Sequence, residues 1–282
     1  MGRGRRPATA GGLGDRDRRG DGQAGRVQDL ESVLFDPTAG CRRLGEGDQP
    51  LLQRRCGRDQ PRPSVRRRAR AHAPGIDCWE PDPATVQDIV SRWVAVQAAI
   101  AHDDLRVPKL LPADLPAELD RLLAGEVGER LTPTELAQAR ILGDLLPGLI
   151  AELNAAGLPN TLVHGDFHPG NWRSDGTNRV IVDWADSYLG HPAADLQRLV
   201  NWLPPEKRPL ATETWATAWQ TALPSSDPLR ALKPMTVLIH LLGATTYQRF
   251  LDNIEPNERI YHEDDPTNEV RAAVLAAADT GH

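Results

Sequence analysis

Lysine is scarce in this chain. Lys109, Lys207 and Lys233 are its lysines, so none precedes position 109. Cysteine is as rare: Cys41, Cys56 and Cys78 form an odd set without zinc-like spacing. That pattern excludes a disulfide framework and points to a reducing compartment. No apolar run reaches the roughly 18 residues a transmembrane helix needs. The N-terminus is Arg-rich but lacks the apolar core of a signal peptide, and Asp15, Asp17 and Asp21 argue against an organelle transit peptide. A cytoplasmic protein is therefore expected. No internal repeat is visible.

The net charge of −6 hides an asymmetry. Residues 1–76 carry 17 Arg against 9 acids, a balance of +8, whereas residues 77–282 hold 16 Lys and Arg against 30 acids, a balance of −14. The first 76 residues show neither helical nor strand periodicity; Gly, Arg, Pro, Asp and Gln dominate. Val27 to Phe35 is the one apolar cluster and would make at most a short helix. This composition predicts a disordered segment. Arg66 to Arg70 is a basic run, but interleaved acids and the lack of an aromatic platform weigh against a nucleic-acid-binding arm. Neither nucleic acid nor membrane is an expected partner.

From residue 77 the texture changes to helical spacing. Asp82-Pro83 reads as an N-cap with proline at the first helical position, and Val86, Ile89, Val90, Trp93, Val96 and Ile100 recur behind it. A shorter helix is expected over 117–123. Thr132-Pro133-Thr134-Glu135 is a capping box that opens a helix to about Leu146, where Pro147 should kink or restart it, with Gly157 closing the second piece. Helices are also expected over 192–203, 213–223 and 235–251, and Asp265-Pro266 should cap a last one reaching Ala278. The seven tryptophans, all within 79–219, are expected to serve mostly in the core.

The stretch Leu162-Val163-His164-Gly165-Asp166-Phe167-His168-Pro169-Gly170-Asn171 interrupts this helical pattern. Thr161 to Val163 reads as a short buried strand that ends in a loop carrying His164, Asp166 and Asn171. A second β-branched run, Val180 to Val182, delivers Asp183. Asp175-Gly176 between them is a hairpin signal, so antiparallel pairing of the two runs should bring Asp166, Asn171 and Asp183 together. One carboxylate would then be poised as a base, beside an amide and a carboxylate of the kind that hold a hard cation through oxygen.

His164, Asp166 and Asn171 fit the kinase catalytic-loop pattern H-x-D-x-x-x-x-N without a gap. Asp183 follows in an I-x-D-W setting, and Gly190 to Leu196 looks like the opening of the next helix. In these features residues 77–282 resemble the C-terminal lobe of the aminoglycoside phosphotransferase and choline kinase family, which has the protein-kinase-like fold. The resemblance implies an α+β fold: a mostly helical lobe with a short β-hairpin carrying the catalytic loop. It implies an ATP- and Mg²⁺-dependent phosphotransferase acting on a small hydroxyl- or amine-bearing molecule. Asp166 would be the base, Asn171 and Asp183 the metal ligands, and His164 a packing residue beneath the loop. Gly165 stands where protein kinases carry Arg, and no long activation segment follows Asp183, which suits a small-molecule kinase.

Other readings of the same residues stay open. His164, Asp166 and His168 form H-x-D-x-H, a transition-metal spacing, though that leaves Asn171 and Asp183 unused. Asp186 and Asp195 could be catalytic, and Asp186 could contact substrate; Asp195, near a helix start, suits capping and bracing of the loop. Glu263, Asp264 and Asp265 could grip substrate ammonium groups or simply form a solvated helix start.

The departure from the family lies upstream. Its N-terminal lobe carries a strand-borne Lys that holds nucleotide phosphates, and no Lys precedes residue 109. Gly11-Gly12-Leu13-Gly14 lacks flanking strand pattern, so no nucleotide-binding residue is assigned. The N-lobe reads as missing or degraded. Arg-, Gly-, Ala- and Pro-rich sequence without Lys is what GC-rich DNA yields out of phase, so residues 1 to about 76 are expected to be a frame-shifted N-lobe or the mark of a truncated paralogue. The alternative function is a catalytically inactive, pseudokinase-like binding protein lacking the nucleotide lobe.

Overall fold

A computed structural model describes residues 75–281 of the chain. The expectations for disorder, for a short helix at 27–35 and for the basic run at 66–70 fall outside the described residues.

A two-residue strand β1 (Ile76–Asp77) leads into α1 (Pro83–Ala99). Asp82 caps α1 through its side chain, which accepts from the Thr85 N–H at 2.7 Å, with Pro83 behind it. The buried face of α1 is Val86, Ile89, Val90, Trp93 and Val94. Short helices α2 (Leu115–Leu123) and α3 (Glu126–Arg130) follow. The capping box then forms in full: Glu135 N–H donates to Thr132 Oγ1, and Thr132 N–H donates to Glu135 Oε2. It opens α4 (Pro133–Asn154), which runs through Pro147 without restarting. Leu142, Leu146, Leu149 and Leu153 are buried on both sides of the proline and hold the two halves on one packed face. Pro147 itself lies on the exposed side, where water can satisfy the carbonyl it frees.

The strands depart from the expected pairing. β2 (Thr161–Val163) pairs antiparallel with β5 (Tyr188–Gly190), in the register Thr161 with Gly190 and Val163 with Tyr188. Asp175-Gly176 closes a different hairpin, between β3 (Trp172–Ser174) and β4 (Arg179–Ile181). The physical reason is local. A hairpin turn joins the residues on its immediate flanks, and Asp175 Oδ1 accepts from the Thr177 and Asn178 N–H groups, tightening an Asx-turn there. β1 adds to the outer edge of β3. The two small sheets still carry the loop between them, because Val182 N–H donates to the Asn171 carbonyl at 2.9 Å.

The rest is helical: α5 (Ala193–Trp202), α6 (Arg208–Ala222), α7 (Leu232–Leu251) and α8 (Asp265–Asp279). α6 begins five residues before the expected Glu213. α8 starts at Asp265, and its cap position Asp264 makes no side-chain capping bond; the Asp265 carboxylate pairs with His262 instead. α7 packs on α8, and α1 packs on α6. Trp215 and Trp219 of α6 are buried, as are Leu238 and Leu241 of α7 and Val270 and Ala273 of α8. Trp93 and Trp172 are buried as well, but Trp79 and Trp202 are half exposed.

Candidate active site

β2 ends at Val163, and the chain turns through His164 and Gly165 into the loop. Gly165 has φ +85°, and a Cβ there would run into the Asp186 carbonyl, so the turn requires glycine. His164 is fully buried. Its Nδ1 accepts from the Asp166 N–H at 3.3 Å, which leaves Nε2 to donate to the Val182 carbonyl at 3.0 Å. Burial pushes this imidazole down to about 4, against the pull of Val182 and of the Asp166 charge. His164 thus ties the loop to the end of β4.

Asp195, one turn into α5, is 2% exposed and receives four hydrogen bonds. Oδ2 accepts from Trp93 Nε1 at 2.8 Å, Gln97 Nε2 at 3.2 Å and the His164 N–H at 3.0 Å; Oδ1 accepts from the Gly165 N–H at 3.2 Å. Burial still outweighs these donors and raises the carboxyl to about 6. Asp195 is therefore the brace that joins α1, the loop and α5.

Asp166 is half-buried, and both of its carboxylate oxygens are engaged. Oδ1 accepts from Arg198 Nε at 3.2 Å and Nη2 at 2.8 Å. Oδ2 accepts from His168 Nε2 at 3.2 Å and Asn171 Nδ2 at 3.0 Å. Burial works to raise this carboxyl, but the hydrogen bonds from His168 and Arg198 and the Arg198 charge hold it well below the usual carboxylate range. The Asn171 amide nitrogen also donates to the Asp166 carbonyl, leaving its side-chain oxygen for another partner. Asp183 is exposed at the end of β4 and has φ +65°, a strained backbone for a residue with a Cβ. Asp186 follows, its carboxyl raised first by desolvation and then by the charges of Asp166 and Asp183.

A cavity of about 130 Å³ opens beside the loop. Gly165, Asp186 and Arg198 line one side; His240 and Tyr247 of α7 and Glu269 of α8 line the other. His240 and Glu269 are paired at 2.7 Å. Glu263 and Asp264, two candidate substrate contacts, are placed elsewhere: both pair with Arg130 of α3, at 3.2 and 2.8 Å, and neither lines the cavity. The His164, Asp166 and His168 trio does not converge. His164 Nε2 faces Val182 and His168 Nε2 faces Asp166, and among the described residues no group of three or more His, Cys, Asp or Glu is placed to hold a metal ion.

Sequence reasoning missed Arg198, His240, Tyr247 and Glu269. Arg198 had a signal: it lies three residues after Asp195, so the two share a helix face turned to the loop. The α7 and α8 residues had none, since their approach to the loop depends on the tertiary fold.

The mostly helical α+β scaffold with small sheets resembles that of kinase-like phosphotransferases. Residues 49–232, well over half of the sequence, match the model of the phosphotransferase enzyme family, APH, and the chain belongs to that family. The match starts inside the Arg-rich segment and ends at the start of α7. Among solved structures the chain is similar to choline kinase LicA from Streptococcus pneumoniae, with TM-score 0.50 and 14% identity over 72% of this chain and 66% of that one. It is also similar to macrolide 2'-phosphotransferase MphH from Brachybacterium faecium, with TM-score 0.43 and 18% identity over 68% and 67% of the two chains. A third is the choline kinase from Cryptosporidium parvum, with TM-score 0.45 and 12% identity over 74% and 71%. The chain thus spans about two thirds of the first two proteins' length, and the likeness to LicA is one of fold. A search of curated proteins gives no match. No described helix is long and apolar enough to cross a membrane.

Proposed function

We propose that residues 77–282 form the C-terminal, catalytic lobe of an ATP- and Mg²⁺-dependent phosphotransferase that acts on a small hydroxyl- or amine-bearing molecule. The observation that carries this reading is the Asp166 carboxylate, held in one orientation by three side chains, one of which, Arg198, lines the cavity. Phosphoryl transfer asks for positioning and charge neutralisation more than covalent chemistry. An oriented carboxylate within reach of an acceptor hydroxyl or amine aligns it and takes its proton as transfer proceeds.

The donor set fits a hard cation. The Asn171 amide is turned so that its oxygen is left over, Asp183 offers an exposed carboxylate, and a backbone bond ties Asn171 to the residue before Asp183. Two protein oxygens are what Mg²⁺ takes when nucleotide phosphates and waters supply the rest. Bound there, the ion would offset the charge of the transferring group. His164 and Asp195 would support the loop without touching reactants.

The cavity and the charge restrict the acceptor. A volume near 130 Å³ admits one small molecule or a single ring of a larger one. The −14 balance of residues 77–282 favours an amine-bearing or neutral acceptor over a polyanion.

The nucleotide-holding Lys of this reading has no counterpart before Lys109. Because the family match begins at residue 49, we place the out-of-phase origin before that point. The other two frames of the coding DNA should contain a strand-rich segment with a Gly loop and a Lys; finding none would sink that origin.

The test of the function is a screen of amine, polyol and polyanionic acceptors for Mg²⁺-dependent ATP consumption, paired with thermal shift by Mg-ATP. Turnover with an amine or neutral acceptor is expected. Nucleotide at a hundredfold excess over Kd should add about 2.7 kcal/mol of stability. Preference for a phosphorylated or polycarboxylate acceptor would refute the acceptor assignment. Absence of both turnover and nucleotide stabilisation would refute the enzyme.

A further inference from the structure

Arg198 is the charged group in direct contact with Asp166. It comes from α5, outside the loop, and both Nε and Nη2 converge on the single oxygen Oδ1. Its side chain is about one-third exposed, and it forms part of the cavity wall. Tyr247 of α7 flanks the guanidinium on the cavity side.

The other carboxylate oxygen is held by neutral donors from the loop. Gly170 N–H donates to His168 Nδ1 at 3.0 Å, so His168 carries its proton on Nε2 and donates it to Oδ2. Asn171 Nδ2 donates to the same oxygen. The loop therefore pulls Asp166 towards Asn171, and Arg198 alone among these contacts pulls it towards α5 and the cavity. A carboxylate released from Arg198 would keep its bond to Asn171, whose side-chain oxygen is the one we assign to a cation. It would then drift to that side as a further anionic oxygen.

We infer that Arg198 is a positioning residue: it fixes the Asp166 carboxylate from the α5 side, with Oδ1 turned to the guanidinium and not to the Asn171–Asp183 pair. The inference rests on the assignment of Asp166 as the base and of Asn171 and Asp183 as the cation ligands. Arginine suits the task because its fork fixes direction as well as charge, which a lysine ammonium does not. Misplacing a reacting group by about 1 Å is enough to cost roughly a hundredfold in rate.

The experiment is a double-mutant cycle between Arg198→Ala and Asp166→Asn, read in two ways on the full chain. The first reading is turnover with Mg-ATP. Arg198→Ala should lower kcat by about a hundredfold with the nucleotide KM changed less than about twofold. Guanidinium in the buffer should restore part of the loss, and Arg198→Ala should cost little more once Asp166→Asn is present, because the two act as a unit. The second reading needs no activity: Mn²⁺ affinity by electron paramagnetic resonance. Arg198→Ala should tighten Mn²⁺ severalfold when Asp166 is present, and by less in the Asp166→Asn background, where only the removed cation's own charge contributes. Independent effects of the two substitutions on kcat, or a kcat for Arg198→Ala within about threefold of the parent, would overturn the inference. If the parent chain shows neither turnover nor nucleotide stabilisation, the proposed function fails and the Mn²⁺ cycle alone decides: coupling supports Arg198 as the positioning residue, and additivity overturns it.

Discussion

Replacing Asp195 by Asn isolates the largest buried charge in the loop's support. The carboxylate accepts from Trp93, Gln97, His164 and Gly165, all donors, and is 2% exposed. Two effects oppose each other. An amide cannot match four donors, because its nitrogen turns a hydrogen towards at least one of them. Leaving one buried donor unpaired costs about 1–3 kcal/mol. Against this, the carboxyl is raised from 3.8 to about 6, so keeping it ionised near neutrality costs the fold about 3 kcal/mol at 1.36 kcal/mol per unit. Asn removes that cost, and at about pH 7.5 the variant should lie within about 2 kcal/mol of the parent. The pH dependence separates the effects. A folded-state value above the unfolded one means that Asp195 adds stability fully below about pH 3.8 and loses it as pH rises through about 6. The variant has no such dependence at this site. Its deficit against the parent should therefore be about 2 kcal/mol larger at about pH 4.5 than at about pH 7.5. Urea unfolding of both proteins at the two pH values, at fixed ionic strength, measures the difference, with all other titrating groups common to both. An equal deficit at both pH values would show that the four donors outweigh burial and that Asp195 ionises normally.

Asp166→Asn keeps the shape of the side chain but removes the carboxylate that we propose as the proton acceptor. It should depress kcat by about 10²-fold or more with Mg-nucleotide affinity nearly intact, as read from steady-state kinetics. Asp183→Asn should weaken apparent Mg²⁺ affinity and turnover together in a Mg²⁺ titration. Gly165→Ala should destabilise by about 1–3 kcal/mol through its left-handed backbone and its collision with the Asp186 carbonyl, and denaturant midpoints will show it. Burial pushes His164 down to about 4 and His191 to about 3, so both depressed groups add stability above about pH 6.5 that is lost as pH falls. Below that pH the chain should lose stability, and His191→Gln should flatten the loss in urea titrations.

The helical frame was legible because its signals are local. Asp82 and Thr132 announce two helix starts by chemistry that acts within four residues, and both caps form. The loop motif was legible for the same reason: His164, Asp166 and Asn171 sit in one ten-residue run. Pairing of the strands was not. Runs of three residues carry no register information, and the β5 partner of β2, Tyr188 to Gly190, has no alternation to mark it. Pro147 was read as a kink or a restart because the sequence states its local cost but not the burial of Leu146 and Leu149, which keeps one helix running through it. Residue type placed most of the tryptophans in the core; Trp79 and Trp202 lie outside it, half exposed, with their rings stacked against His168 at centroid distances of 5.3 and 4.9 Å. Residue type sets the apolar area a side chain offers; only the fold decides which neighbour covers it.

One helical turn of α5 meets two different demands of the loop. Asp195 binds its backbone, through the His164 and Gly165 N–H groups, and sits where water is excluded. Arg198, three residues on, binds its side chain, Asp166, and sits where the cavity begins. The separation follows from helix geometry: residues three apart share a face but differ by about 4.5 Å in height along the axis. The anion lies at the buried level and the cation at the open one. An exchange of the two residues would put a guanidinium against four donors and a carboxylate against Asp166, and both contacts would become repulsive. The order Asp-x-x-Arg therefore carries information that neither residue carries alone. It ties the stability of the loop and the direction of its carboxylate to a single rigid element, so that α5 cannot shift without disturbing both.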